Sequence, residues 1–397
     1  MLAVVIALGC TTTRGVPPGA DPTAARDAAQ PPGLDARAGD PLLPDARVPD
    51  AATGPTVPAP PPDADVPVDA SAARDAQLPI AGNGVIPTPP DSSAPDAAVL
   101  ATSLRCDVAG SYGDPLPALS ERHAARVRDG FGFIEGPLWI PSEGVLLFSD
   151  IDFATNGNPQ GPSSRIRRFR PPDQFDVLVE SSGSNGLALA LDGRVLAATH
   201  DLQTLSYFDP ANGARESRML SYAGKRFNSP NDLTVRSDGN VYFTDPDWQL
   251  GSRASETSMR GLYRAAPDGS VQLLDASLDN PNGVALSPDE ATLYVGSRGS
   301  EVFAFPLAAD GGAGPRRVFA STGGGGSDGM GIDCAGNLYV TSGKILVFSP
   351  AGQKLGEITT DENPSNVAFG GLARKTLYIT GGPSLFQIEL NVPGRAY

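Results

Sequence analysis

The fold is decided by a stretch that reads RFNSPNDLTVRSDGNVYFTDP over residues 226–246. It contains a polar turn, a short run of alternating apolar residues, the pair Asp238-Gly239, and a second run at 241–244 rich in β-branched and aromatic residues. An Asp-Gly pair between two such runs is typical of a β-hairpin. The stretch therefore predicts two antiparallel strands, with the amide of Asn231 placed just before the first.

The same unit recurs six times in the last two-thirds of the chain. Each copy opens on an oxygen-bearing side chain and continues as a short apolar strand, and a second strand follows about ten residues later. Successive copies are separated by 50, 46, 51, 46 and 38 residues. Six all-strand copies at this period predict an all-β fold, a six-bladed β-propeller over 111–397. The six opening residues are Glu135, Asn185, Asn231, Asn282, Asp328 and Asn366.

The first quarter of the chain has a different composition. No Phe, Trp or Tyr occurs before Tyr112, and residues 15–100 hold 19 of the 39 prolines, with 12 Asp against 4 Arg. Such a segment has too few large apolar groups to offset chain entropy, so a disordered Pro/Ala/Asp-rich linker is predicted over 15–110. The whole chain is acidic, with a net charge of −15. An acidic protein repels phosphate backbones, and no nucleic-acid partner is expected.

Residues 1–14 are predicted to be an export signal region. The run MLAVVIALGC (1–10) is apolar, too short to span a bilayer, and ends in small residues and a cysteine. It resembles a bacterial lipoprotein signal with Cys10 as the lipidated residue, and an ordinary cleaved signal is the alternative. We therefore expect an exported protein, periplasmic or lipid-anchored at the bacterial cell envelope, with no other membrane contact. A monomer is expected.

The three cysteines agree with export. If Cys10 carries lipid, Cys106 and Cys334 remain as a candidate disulfide that would tie the entry segment to the propeller, although their spacing does not demand one. The chain has no Cys-x-x-Cys pair and only two histidines, His123 and His200. A structural zinc site is therefore not expected.

The opening residues of the six copies form the candidate site. Equivalent positions in a propeller ring one mouth of the central channel, so these six side chains are expected to converge there. Asn and Asp are also common in the turns before strands, but Glu135 is a poor turn residue. Two carboxylates with several amides, and no thiol or imidazole, form an oxygen ligand set that suits Ca²⁺ better than Mg²⁺ or Mn²⁺.

These residues resemble the senescence-marker-protein/gluconolactonase (SMP-30/gluconolactonase/LRE-like) family of six-bladed propellers. The resemblance covers essentially the whole predicted propeller in family order. It implies one divalent cation, usually calcium, held by Glu135, Asn231, Asn282 and Asp328, and the opening of sugar lactones with Asp328 as general base. The resemblance rests on six segments: EGPLW (135–139), KRFNSPNDL (225–233), YFTDP (242–246), PNGVALSPD (281–289), SDGM (327–330) and NVAFGG (366–371).

The predicted function is thus a calcium-dependent hydrolase that opens lactones such as gluconolactone. A channel-bound cation can polarise an ester carbonyl while a nearby carboxylate accepts a proton from water. Two alternatives stay open, a propeller hydrolase that acts on phosphotriesters and a non-catalytic surface propeller that binds a ligand. The residues expected to contact the lactone substrate are Asn185, His200, Arg226 and Asn366.

Overall fold

Six four-stranded antiparallel sheets make up the computed structural model, which describes Cys106 and residues 112–395. The predicted signal region with Cys10, and the predicted linker apart from Cys106, lie outside the described residues. Two short 3₁₀ turns occur at Leu119–Glu121 and Phe153–Thr155. Within the described part of the chain, no helix has the length and apolar character needed to cross a membrane.

The sheets are six blades in chain order, and the first strand of each contacts the first strand of the next. The β-propeller prediction is therefore confirmed. Blades 1 to 3 consist of β2 (Phe133–Ile140), β3 (Val145–Asp152), β4 (Ser163–Arg170) and β5 (Gln174–Val179); β6 (Ser184–Leu189), β7 (Val195–Thr199), β8 (Thr204–Phe208) and β9 (Arg215–Ser217); β10 (Leu233–Val235), β11 (Val241–Asp245), β12 (Gly261–Ala265) and β13 (Val271–Asp275). Blades 4 and 5 consist of β14 (Pro281–Leu286), β15 (Thr292–Ser297), β16 (Glu301–Pro306) and β17 (Arg317–Ser321); β18 (Met330–Ile332), β19 (Leu338–Thr341), β20 (Ile345–Phe348) and β21 (Lys354–Ile358).

The sixth blade joins the two ends of the propeller. Its strands are β22 (Asn366–Gly370), β23 (Thr376–Gly381) and β24 (Ser384–Glu389), and the outermost strand is β1 (Ala125–Arg128) from the start of the described chain. In this blade β1 pairs antiparallel with β24. The ring is therefore closed by hydrogen bonds between the two ends of the domain, which leave no open seam between its first and last blades.

The hydrophobic core is divided into six clusters, one at each contact between neighbouring blades. At the contact between blades 6 and 1, for example, Trp139 stacks on Tyr378 with ring centroids 5.6 Å apart. Each blade buries both faces, which explains why the strands are almost continuously apolar rather than strictly alternating. The apolar wedges hold the inner strands at fixed spacing around the channel.

The candidate disulfide is present. Cys106 is bonded to Cys334. Cys334 lies in the turn between β18 and β19. Its N–H donates to the carbonyl of Pro393, near the end of the described chain, at 2.8 Å. The bond links the entry segment to the fifth blade, as expected.

Candidate active site in the central channel

The inner strands are packed so closely that most of them require glycine just after the opening residue. A Cβ added at Gly136, Gly186, Gly283 or Gly329 would come within 1.9 to 2.6 Å of the opening residue, or the residue after it, in the next copy. At Gly329, for example, the collision is with the Asn366 side chain. Real Cβ atoms do not approach so closely, so these glycines set the diameter of the channel.

In the third copy the glycine position holds Asp232. Its side chain is buried and accepts the Leu233 N–H at 2.9 Å and, across the seam to blade 4, the Val284 N–H at 3.2 Å. Sequence reasoning missed this residue as part of the site. The signal was available, because four of the six copies have glycine at that place and the third has a carboxylate.

Several of the predicted site residues meet in the channel. Asn282 Nδ2 donates to Asp328 Oδ1 at 2.7 Å, and Glu135 and Asp328 lie close enough for each to shift the pKa of the other. The Asn366 side chain lies beside Glu135 and Asp232 and lowers the pKa of both carboxyls. Residues from blades 1, 3, 4, 5 and 6 thus form one polar cluster.

The three carboxyl groups in this cluster resist ionisation. Burial raises the pKa of Asp232 to about 7, against a contribution from the Leu233 and Val284 N–H groups that lowers it. Burial also raises the pKa of Glu135 well above its ordinary value, and the nearby Asp328 and Asp232 charges add to the rise. The pKa of Asp328 is raised by burial as well, although its side chain keeps partial exposure to solvent.

The donor chemistry fits a divalent cation. Hydrogen bonds from backbone N–H groups and amide side chains lower the pKa of these carboxyls, but such neutral groups supply no counter-charge when the carboxyls ionise. In the part of the chain that the structure describes, no group of three or more His, Cys, Asp or Glu side chains is arranged as a metal centre. The expected ligand set has only two carboxylates and completes its shell with amide oxygens, as calcium sites do.

Asn185 and Asn231 lie next to this cluster in the ring. Both side chains are buried, and the Gly186 N–H donates to the Asn231 carbonyl at 2.7 Å. The Asn185 carbonyl accepts the Ser149 hydroxyl at 2.6 Å. Four of the six opening residues lie in inner strands, and Asn231 and Asp328 lie two residues before theirs. The roles of all six toward metal or substrate stay predictions.

His200 follows β7 and is fully buried. Its Nε2 lies 2.8 Å from the Pro162 carbonyl, which assigns the proton to Nε2, and Nδ1 has no protein partner. Burial lowers the pKa of His200 to about 4, so the ring is neutral at pH 7. The ring is covered because the β3–β4 loop at 153–162 reaches the β11–β12 loop at 246–260, where Asn156 bonds the Trp248 carbonyl.

Arg226 does not join the channel cluster. Its side chain is exposed and its guanidinium forms an ion pair with Glu256 at 2.6 Å, while its N–H donates to the same carboxylate at 2.9 Å. The structure therefore gives Arg226 a surface partner, and its substrate role stays a prediction.

Known proteins resemble this chain in sequence. The gluconolactonase of Zymomonas mobilis is 32% identical over 292 residues, which cover 66% of this chain and 79% of that protein. The 6-deoxy-6-sulfogluconolactonase of Pseudomonas putida is 29% identical over 287 residues, covering 66% and 92%.

Solved structures show the same architecture. A gluconolactonase from Xanthomonas campestris matches with a TM-score of 0.61 and 34% identity over 73% of this chain and 97% of that one. A regucalcin from Agrobacterium tumefaciens, 19% identical over 69% and 95%, matches in fold with a TM-score of 0.56. The family model described as the SMP-30/Gluconolactonase/LRE-like region matches residues 133–382. The chain belongs to the SMP-30/gluconolactonase/LRE-like family.

Proposed function

We propose that the channel cluster opens sugar lactones with the help of one bound calcium ion. Membership of the family, together with relatives named as gluconolactonase and 6-deoxy-6-sulfogluconolactonase, makes the chain a lactone hydrolase. The observation that carries the finer proposal is the convergence of Glu135, Asp232 and Asp328 in one channel, where no salt bridge reaches them from the described residues. Such a cluster is costly to ionise alone and becomes favourable around a divalent cation.

Calcium is proposed because of the ligand types. Glu135, Asn231, Asn282 and Asp328 offer carboxylate and amide oxygens. Calcium accepts this kind of irregular, oxygen-rich shell, whereas magnesium requires a near-octahedral one with several waters. When bound, the ion would polarise the lactone carbonyl and stabilise the negative charge that develops on its oxygen.

Asp328 is the proposed general base because it is the carboxylate of the three that keeps partial exposure to solvent. The Asn282 amide holds one oxygen of Asp328 in place. As water adds to the carbonyl carbon, its proton passes to Asp328 and then to the ring oxygen, whose bond to that carbon breaks.

The remaining polar side chains of the ring are proposed to orient the substrate. Asn185 and Asn366 lie on either side of Glu135 in the closed ring, at the first strands of blades 2 and 6. Each presents an amide that can donate to, or accept from, a sugar hydroxyl. A substrate without hydroxyls would leave these groups unpaired, which disfavours it.

We also propose that the protein is exported, and lipid-anchored through Cys10. The Cys106–Cys334 bond supports export, because disulfides persist mainly in oxidising compartments. Cys10→Ser should move the protein from the membrane fraction to the soluble fraction if Cys10 carries the anchor. Unchanged membrane association would contradict the anchor.

The function is tested with purified full-length protein. Hydrolysis of gluconolactone and a pentonolactone is measured by proton release, with calcium and then with excess chelator. A diisopropyl phosphotriester serves as the competing substrate class. We expect lactone turnover that chelator abolishes and calcium restores, and weak phosphotriester turnover.

Two variants connect activity to the channel. Glu135→Gln and Asp328→Asn keep size and one carbonyl oxygen while removing a charge, and each should weaken calcium binding and lactone turnover. Phosphotriester turnover above that of every lactone would overturn the substrate assignment. Calcium binding without turnover of either substrate class would support a non-catalytic binding propeller instead.

A further inference from the structure

Thr244 lies where the two amide ligands of the proposed site meet. It is fully buried near the end of β11, the second strand of blade 3. Its backbone carbonyl accepts the Asn231 N–H at 2.9 Å, and its own N–H donates to the Asp232 carbonyl at 3.0 Å. The first amide ligand is therefore fixed to Thr244 through the backbone.

The hydroxyl of Thr244 extends this link across the seam between blades 3 and 4. Thr244 Oγ1 donates to the Asn282 carbonyl at 2.8 Å and accepts the Asp232 N–H at 3.1 Å. Since Asn282 carries the second amide and holds Asp328, one residue connects both amide ligands, Asn231 through its backbone carbonyl and Asn282 through its hydroxyl. Asp232 adds a parallel link by accepting the Val284 N–H.

Other seams use hydroxyl groups in a similar place but do not join two ligands. Ser149 Oγ donates to the Asn185 carbonyl, and Thr341 Oγ1 donates to the Ser365 carbonyl at 2.8 Å. Thr199, near the end of the second strand of blade 2, donates to the Thr204 carbonyl within its own blade. Thr199 and Thr244 are both fully buried, and they differ in whether the hydroxyl crosses a seam.

We propose that Thr244 is a positioning residue whose hydroxyl fixes the separation of Asn231 and Asn282 and so tunes the affinity of the channel for a divalent cation. The inference rests on the proposed function, which it deepens. Groups that hold metal ligands from behind commonly alter affinity about 10- to 100-fold when they are removed. Thr→Val keeps the shape of the side chain and deletes only the bridging hydroxyl.

The test is calorimetric titration of chelator-treated full-length protein with calcium chloride, which needs no catalytic turnover. We expect Thr244→Val to raise the calcium Kd about tenfold. Thr244→Ser keeps the hydroxyl and should stay within about threefold of the parent, and Thr199→Val, the matched control, within about twofold. Circular dichroism melts would show whether each variant is folded. If Thr244→Val does not fold, Thr244→Cys replaces it, because a thiol is a poor donor of nearly the same size.

The outcomes separate this inference from the function it rests on. Equal calcium affinity of Thr244→Val and parent would overturn the positioning role, and so would an equal loss in Thr199→Val. Failure of Thr244→Ser to restore affinity would assign the effect to lost packing and would also overturn it. A parent that binds no calcium would instead remove the proposed metal site itself.

Discussion

Replacing Asp232 by Asn should stabilise the protein when no metal is bound. The pKa of Asp232 is about 7 in the folded chain against 3.8 for the free side chain. The raised pKa means that the folded protein favours the protonated form of Asp232. The stability gained from this preference is full below pH 3.8 and is lost as the pH rises through 7. At pH 8 the metal-free protein therefore carries a buried charge that the Asn variant lacks.

The size of the effect follows from two opposing contributions. A difference of about three pKa units corresponds to about 4 kcal/mol at about 1.36 kcal/mol per unit. The variant would lose the acceptor for the Val284 N–H, which costs about 1 to 2 kcal/mol for a buried donor. We therefore expect Asp232→Asn to raise the free energy of unfolding by about 2 kcal/mol at pH 8 in chelator.

The assay is urea unfolding at pH 4, 6 and 8, in chelator and in saturating calcium. In chelator the advantage of the variant should shrink toward pH 4, where the parent carboxyl is protonated. In calcium the parent should be more stable than the variant, because the parent keeps the charge that attracts the cation. A bound ligand stabilises the folded state that binds it. Asp333→Asn is the control. Asp333 is also buried, in the turn beside Cys334. Calcium should raise the free energy of unfolding of this variant as much as that of the parent. A variant less stable than the parent at pH 8 without metal would refute the reasoning.

Three further outcomes are expected. The parent should lose up to about 3 kcal/mol of its free energy of unfolding between pH 7 and 4, because His200 takes up a proton near pH 6.5 when unfolded and only near 4 when folded. His200→Gln should remove this loss, and identical pH profiles of variant and parent in urea unfolding would contradict the prediction. Gly283→Ala should cost at least about 2 kcal/mol, since its Cβ would lie 2.2 Å from the Asp328 carbonyl, whereas Gly157→Ala, with open space around it, should cost under about 1 kcal/mol by the same assay. Cys334→Ser should lower the free energy of unfolding by about 2 to 5 kcal/mol, and an unchanged value would show that the disulfide only tethers the entry segment.

The repeat pattern was sufficient to predict the architecture. Period, strand composition and turn chemistry are local properties, and they identified all six blades and their inner strands. The pattern also identified the opening residues, because a propeller places equivalent positions at equivalent places in the ring. Glu135, Asn282 and Asp328 accordingly meet although 147 and 193 residues separate Glu135 from the other two.

Other features depend on contacts that the sequence does not encode locally. The surface ion pair of Arg226 with Glu256 and the burial of His200 result from how the loops at 153–162 and 246–260 fold over the blades. Loop conformation is set by long-range contacts rather than by periodicity, so the sequence could not predict these surroundings, and the substrate roles of both residues stay predictions. Asp232 could have been recognised by its glycine position, but its link to blade 4 required the structure.

The geometry of the site depends on closure of the ring. Ser365 in blade 6 donates its hydroxyl to the Ile134 carbonyl in blade 1 at 2.7 Å, directly beside Glu135 and Asn366. This seam joins the two ends of the domain, and β1 reinforces it by pairing with β24. Glu135 belongs to blade 1 and Asp328 to blade 5, so the carboxylate cluster takes its residues from blades on both sides of blade 6. Its ligands therefore belong to the complete propeller and not to any one blade, and a cation bound there would stabilise closure of the ring as a whole.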